Sequence, residues 1–237
     1  MPTKFSSSAR RKTSADVHSP LPTEGFRAFV FDMDGTILSS IASAERVWTR
    51  WALRHGVDVA RFLPMIHGVR AVETVARLAL PGIDPVAEAA IITRQEIEDV
   101  EGTEAIAGAA TFLSSLPSDR WGIATSAPRA LAERRLSEAE LPIPSLMITA
   151  EDVVSGKPSP DCYLLAARCL GISGADCLVF EDAVAGISAA EAAGTSVVVI
   201  SATHKHALVT PHPSVRDFDT IAVTVGVDGL LRLKTKG

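Results

Sequence analysis

Phe29-Val30-Phe31-Asp32-Met33-Asp34-Gly35-Thr36 decides the fold. A short run rich in β-formers, Arg27 to Phe31, ends in two carboxylates with one residue between them. Such a run reads as a parallel strand buried on both faces. Continued in extended form, the chain places Asp32 and Asp34 on one side, because side chains alternate along a strand. Gly35 then breaks the strand. In open α/β sheets ligands bind beyond the carboxyl ends of the strands. Two acids placed there repel each other unless a cation lies between them or one holds a proton.

Three more polar clusters follow apolar runs downstream. Thr125 and Ser126 follow Trp121–Ala124, and Lys157 stands in Ser155-Gly156-Lys157-Pro158 after Leu146–Thr149. Glu181 and Asp182 follow Cys177–Phe180. Each cluster taken singly also reads as a helix cap or a solvated turn. Taken together in a parallel sheet, all four share one edge, which gathers four carboxylates, a lysine and two hydroxyls. Acids crowded in this way are costly unless paired, and a hard cation with oxygen ligands offsets the cost; Mg²⁺ suits a few carboxylates plus a substrate phosphate. The inventory fits phosphoryl transfer, where positioning and charge stabilisation do most of the work. A carboxylate can attack phosphorus, a second can move protons, hydroxyls can hold phosphoryl oxygens and a lysine can balance charge.

Working outward, helical patterns cover Ile41–His55, 70–80 and 85–100, with no strand-like run between Leu38 and Ala105. That places roughly 65 residues between the first strand and the next βα unit, far more than a crossover needs. They read as a small helical cap domain, 39–104, inserted into an α/β core formed by 25–38 and 105–237. The core continues as a helix at 105–116 and a strand at 121–124. A helix from Pro128, a strand at 146–149 and a helix from Ser159-Pro160-Asp161 follow. Next come a strand at 177–180, a helix at 183–193 and a strand at 196–200. This alternation implies a doubly wound parallel sheet, an α/β fold of Rossmann type. Residues 202–216 read as a loop and 220–233 as a closing hairpin. Residues 1–24, with Ser6-Ser7-Ser8 and Arg10-Arg11-Lys12, read as a disordered tail.

Composition narrows the class. Of 237 residues 47% are hydrophobic, enough for a packed core, and the formal charge of −5 gives no support to nucleic-acid binding. No apolar run spans a membrane. Three cysteines without CxxC spacing argue against a disulfide framework or zinc site and fit a reducing cytoplasm.

Asp32-Met33-Asp34-Gly35-Thr36, Ala124-Thr125-Ser126, Gly156-Lys157-Pro158-Ser159-Pro160-Asp161 and Phe180-Glu181-Asp182-Ala183 together resemble the haloacid dehalogenase (HAD) superfamily of Mg²⁺-dependent phosphohydrolases. The insertion is similar to that family's helical cap of the first type. Trp48 to His55, Ile66-His67-Gly68 and Trp121–Ser126 resemble bacterial sugar- and hexitol-phosphate phosphatases and yeast-type glycerol-phosphate and 2-deoxyglucose-6-phosphate phosphatases. The resemblance implies Asp32 as nucleophile and Asp34 as general acid/base. It implies Thr125 as phosphoryl binder and Lys157 as the bridge between nucleophile and phosphate, and Ser126 beside Thr125 is a further candidate substrate binder. Asp32, Asp34 through its backbone carbonyl, Asp182 and Glu181 are the implied metal residues. Relatives usually carry Asp-Ser where Ser39-Ser40 stands here, so the hinge at Ser39 departs from the pattern.

Substrate choice is expected from the cap, with His67, Gly68 and Arg70 the foremost binders and Arg70 clamping phosphate or hydroxyls. Trp48 and Trp51 read as cap core, and Glu45 and Glu98 as solvated helix faces. His204, His206 and His212 read as plain loop histidines. The expected activity is hydrolysis of a small sugar or polyol phosphate through an aspartyl-phosphate by a monomer or weak dimer. A phosphosugar mutase of the β-phosphoglucomutase type is the alternative.

Overall fold

A computed structural model describes residues 19–236. In chain order the elements are β1 (Ala28–Phe31), β2 (Leu38–Ser39), α1 (Ile41–Arg54), α2 (Val59–Phe62), α3 (Ala71–Arg77), α4 (Pro85–Glu98), β3 (Glu104–Ala105), α5 (Ala109–Ser114) and β4 (Trp121–Ala124). They continue as α6 (Arg129–Glu138), β5 (Leu146–Ile148), α7 (Asp161–Cys169), β6 (Cys177–Glu181), α8 (Val184–Ala192), β7 (Ser196–Ile200), β8 (Ser214–Val215), β9 (Ile221–Val225) and β10 (Leu231–Thr235).

Six parallel strands run in the order β5-β4-β1-β6-β7-β8. The chain leaves β1 toward β4 and later returns on its other side at β6, so the topological switch point lies between β1 and β6. That is where an open α/β sheet forms its crevice.

The central strands are buried on both faces, and alternation sorts their side chains. Phe29, Phe31, Leu178, Phe180, Val198 and Ile200 face one apolar layer; Val30, Cys177, Val179, Val197 and Val199 face the other. Phe31 stacks on Phe180 with ring centroids 4.7 Å apart. These contacts lock β1 to β6 immediately below the acids. Helices α1 to α4 pack around a separate cluster that includes Val47, Trp48, Trp51, Phe62 and Ile92.

Three features differ from the sequence reading. Leu38 and Ser39 pair with Ala105 and Glu104, so a two-stranded ribbon ties the ends of the insertion together and the helix expected from 105 begins at Ala109. Ser214 and Val215, inside the stretch read as a loop, form the sixth strand against β7. The tail read at 1–24 lies outside the described residues up to position 18. From Ser19 the chain is anchored: Ser19 Oγ donates to the Pro211 carbonyl at 2.9 Å, and Leu21 packs against the core.

Candidate active site

Asp32 emerges from β1 and is 5% exposed. Lys157, 2% exposed, donates from Nζ to Asp32 Oδ1 at 2.6 Å and to Glu181 Oε1 at 2.7 Å. The Tyr163 hydroxyl from α7 donates to the same Glu181 oxygen at 2.8 Å. The other oxygen of Glu181 accepts from the backbone amides of Asp182 and Ala183 at 2.9 and 3.0 Å. Both oxygens of Glu181 are therefore occupied by protein donors. Glu181 holds Lys157 and the start of the turn into α8, and it stays within 4.8 Å of the Asp32 and Asp182 oxygens.

Asp182 keeps far more acceptor capacity. Its one side-chain donor among the described residues is Thr36 Oγ1, at 3.4 Å. Gly35 makes the approach of the two loops possible. At φ +91° it adopts a conformation that side chains disfavour, and a Cβ there would lie 2.0 Å from Asp182 Oδ2.

The electrostatics are those of a site short of positive charge. Burial pushes the Asp32 carboxyl up to about 7, reinforced by Glu181 and Asp34 and opposed by Lys157. Burial, with Glu181 and Asp32 adding to it, holds Asp182 well above the usual carboxylate range. Burial disfavours the Lys157 ammonium, yet Asp32 and Glu181 outweigh it and hold its pKa well above the ordinary lysine value. Oxygens of Asp32, Glu181 and Asp182 lie within 4.8 Å of one another. An all-oxygen donor set with surplus negative charge and free oxygens on Asp32 and Asp182 fits a hard divalent cation.

Asp34 stands apart from this cluster. Its Oδ1 accepts from Ser40 Oγ at 2.6 Å and from Arg135 Nη1 at 3.0 Å. Arg135 also donates from Nη2 to Glu96 Oε1 on α4 at 3.0 Å. The motifs pointed to neither Arg135, Glu96 nor Ser40. At the departure Ser39-Ser40, Ser39 lies in the ribbon and Ser40 makes the contact with Asp34.

Thr125 is buried beyond β4, and its Oγ1 accepts from the Ala127 amide at 3.1 Å, leaving the hydroxyl proton to donate elsewhere. Ser126 Oγ donates to the Gly68 carbonyl at 3.0 Å. Gly68, at φ +73°, brings the insertion onto the core, where a Cβ on it would stand 2.7 Å from that of Ala183.

A cavity of about 1200 Å³ lies between the sheet edge and the insertion, lined by Asp32, Asp34, Thr125 and Asp182 below and by Trp48 and His67 above. His67 lies 3.9 Å from Glu45, and burial lowers its pKa against the pull of that carboxylate. Arg70 does not line the cavity. It is turned away, donating to Glu73 and to the carbonyls of Val153 (3.3 Å) and Val154 (3.0 Å). Its donors are spent on the core segment leading to Lys157, which corrects its reading as a substrate clamp. Trp48 packs against Trp51 and Phe62 as cap core. Glu98 is exposed, whereas Glu45 is half-buried at the cavity wall and so is not a plainly solvated group. His204 also departs from the loop reading. It lines the cavity, and its Nε2 donates to the Asp182 carbonyl at 2.8 Å.

Fold and site define a doubly wound α/β protein with an aspartate pair at the switch point of its parallel sheet. The chain belongs to the haloacid dehalogenase-like hydrolases, whose family description matches residues 26–194. It is 41% identical over 181 residues to hexitol phosphatase A of Escherichia coli, covering 74% of this chain and 83% of that protein. It is 33% identical to glycerol-1-phosphate phosphohydrolase 1 of Saccharomyces cerevisiae, covering 74% of this chain and 75% of the relative. The fold matches that of CbbY from Rhodobacter sphaeroides, solved with phosphate, at a TM-score of 0.70 and 21% identity, over 81% of this chain and 95% of that one.

Proposed function

We propose that this chain is a Mg²⁺-dependent, cytoplasmic phosphatase that hydrolyses a small sugar or polyol phosphate through an aspartyl-phosphate. The observation that carries the reading is the convergence of Asp32, Asp34, Thr125 and Asp182 on the floor of one cavity, with Lys157 buried behind Asp32 and bonded to it. The names of the relatives supply the substrate class: hexitol, glycerol-1-phosphate and 2-deoxyglucose-6-phosphate phosphatases.

In this reading Asp32 attacks phosphorus through Oδ2, the oxygen that Lys157 leaves free. Asp34 gives a proton to the leaving sugar oxygen, then takes one from the water that cleaves the acyl phosphate. Inorganic phosphate leaves and Asp32 returns as a carboxylate. Thr125 donates its hydroxyl to a phosphoryl oxygen, while Lys157 screens Asp32 from the incoming anion. Asp32, Asp182 and the Asp34 carbonyl would hold Mg²⁺, which supplies charge neutralisation of the phosphoryl oxygens. The helical insertion acts as the specificity cap, offering Glu45 and His67 to substrate hydroxyls. The free thiols of Cys162, Cys169 and Cys177 accord with a reducing cytoplasm.

The test is a phosphate-release screen over hexose, hexitol and glycerol phosphates with Mg²⁺ and with EDTA. Stoichiometric, Mg²⁺-dependent release that Asp32→Asn abolishes supports the reading. Isomerisation primed by a bisphosphate, in place of release, assigns the chain to the mutases.

A further inference from the structure

Arg135 occupies a position on α6 that the helical pattern assigns to the core. Leu131, Ala132 and Leu136 on the same face are buried, and Arg135 is itself only 5% exposed. A guanidinium at that depth is costly unless charged acceptors meet its donors. Its two acceptors come from different parts of the fold: Asp34 in the turn after β1, and Glu96, 6% exposed, on α4 of the insertion. Ser40, immediately before α1, adds its hydroxyl to the oxygen of Asp34 that Arg135 holds. Both bonds thus fall on Oδ1, and no donor among the described residues lies within hydrogen-bond distance of Oδ2. Asp34, Ser40, Glu96 and Arg135 all line the cavity.

A second arrangement of the same groups is chemically favoured once Glu96 is gone. The planar fork of arginine matches a carboxylate with two parallel N–H···O bonds. With α4 withdrawn, Nη2 has no partner, and the carboxylate already held by Nη1 offers its second oxygen. Glu96 and Oδ2 of Asp34 are therefore rivals for one nitrogen.

We propose that Arg135 is a positioning residue that couples seating of the helical insertion to the availability of Asp34 Oδ2. With α4 seated, Glu96 holds Nη2 and Oδ2 is free to exchange protons with substrate. With α4 withdrawn, the guanidinium takes both oxygens of Asp34 and blocks that exchange. Proton transfer is thereby confined to the state in which the insertion is seated over the cavity. The coupling rests on the acid/base role given to Asp34 above.

The experiment is steady-state kinetics with Mg²⁺ on ethyl phosphate, a small alkyl ester whose leaving oxygen needs a proton and which has no sugar hydroxyls, so that loss of a hydroxyl contact is silent. Glu96→Gln keeps shape and removes the charge that competes for Nη2. The kcat is expected to fall by about 10- to 100-fold with KM changed by less than about threefold, the signature of a misplaced catalytic group rather than lost binding. The double variant Glu96→Gln/Arg135→Met removes the chelating guanidinium and is expected to turn over faster than Glu96→Gln alone. A kcat of Glu96→Gln within about twofold of the parent, or a double variant slower than the single one, overturns the coupling. Should Glu96→Gln not fold, the double variant carries the test. A kcat within about tenfold of the parent supports the proposal, and a larger loss refutes it. Asp34→Asn separates the two layers. If it retains turnover, the acid/base reading itself is wrong; if it is inactive while Glu96→Gln is unimpaired, only the coupling fails.

Discussion

Ser126 donates its hydroxyl to the backbone carbonyl of Gly68 at 3.0 Å, so a residue at the end of a core strand holds the tip of the helical insertion. On the coupling proposed above the bond exists only while the insertion is seated, and it uses the proton that Ser126 would otherwise offer a phosphoryl oxygen. Ser126→Ala removes one neutral hydrogen bond from the closed state, about 1 kcal/mol, which raises KM about fivefold with kcat little changed. A fall in kcat without a rise in KM would return Ser126 to the substrate.

The Arg70–Glu73 pair makes a second contact of this kind. Arg70 donates to the carbonyls of Val153 and Val154, and Glu73 accepts from the Gly156 amide at 3.2 Å, next to Lys157. Charge-assisted bonds of this sort contribute about 2 kcal/mol, so Arg70→Ala weakens closure by roughly 10- to 100-fold in kcat/KM. The loss should be the same factor for glycerol phosphate and for a hexitol phosphate. Parallel kcat/KM measurements on the two esters check this; an altered ratio would mean that Arg70 reads the substrate.

These contacts show where sequence patterns carry information and where they run out. The strand-end acids were legible because apolar runs and the alternation of a strand place them without reference to anything distant. Arg70 opens a helix, as its spacing implies, but its acceptors are carbonyls more than eighty residues away, and backbone groups leave no signature in a sequence. The ribbon of Leu38–Ser39 with Glu104–Ala105 is too short to show any period, and its partners close across the whole insertion. Ser214–Val215 was hidden in the same way between a proline and an arginine. Arg135 and Glu96 did leave a trace. Each charge falls in phase with a buried apolar stripe, beside Leu131, Ala132 and Leu136 on α6 and four residues from Ile92 on α4. A charged residue on such a stripe needs a buried partner, and that demand was the available clue.

Gly186 is a sharper probe of the floor of the site. It lies in α8, where alanine ordinarily improves a helix by about 1 kcal/mol. Here a Cβ would stand 1.5 Å from Glu181 Oε1 and 2.0 Å from its carboxyl carbon. Glu181 would have to move, carrying the oxygen that Lys157 and Tyr163 share. Gly186→Ala is therefore expected to lower kcat by about 100-fold or more, since displacements of about 1 Å are enough for that. Thermal unfolding should show a loss of stability in place of the usual gain. A fully active, stabilised variant would show that Glu181 does not position Lys157.

Asp182 sets stability against function. Its carboxylate is half-buried beside Glu181 and Asp32, and Lys157 bonds to those two acids and not to it. On the function proposed above a cation shares this charge, so metal-free protein carries the cost unrelieved. Asp182→Asn removes the charge, keeps the shape and retains an oxygen for the Thr36 hydroxyl. Without metal, the variant should be more stable than the metal-free parent by about 1–3 kcal/mol, the scale of desolvating an unmatched polar group. With Mg²⁺, the parent should gain stability as binding to the folded state requires, while the variant should gain little and release no phosphate. Melting curves of both proteins with EDTA and with Mg²⁺ decide the matter. Equal stabilisation of the two by Mg²⁺ would place the ion elsewhere.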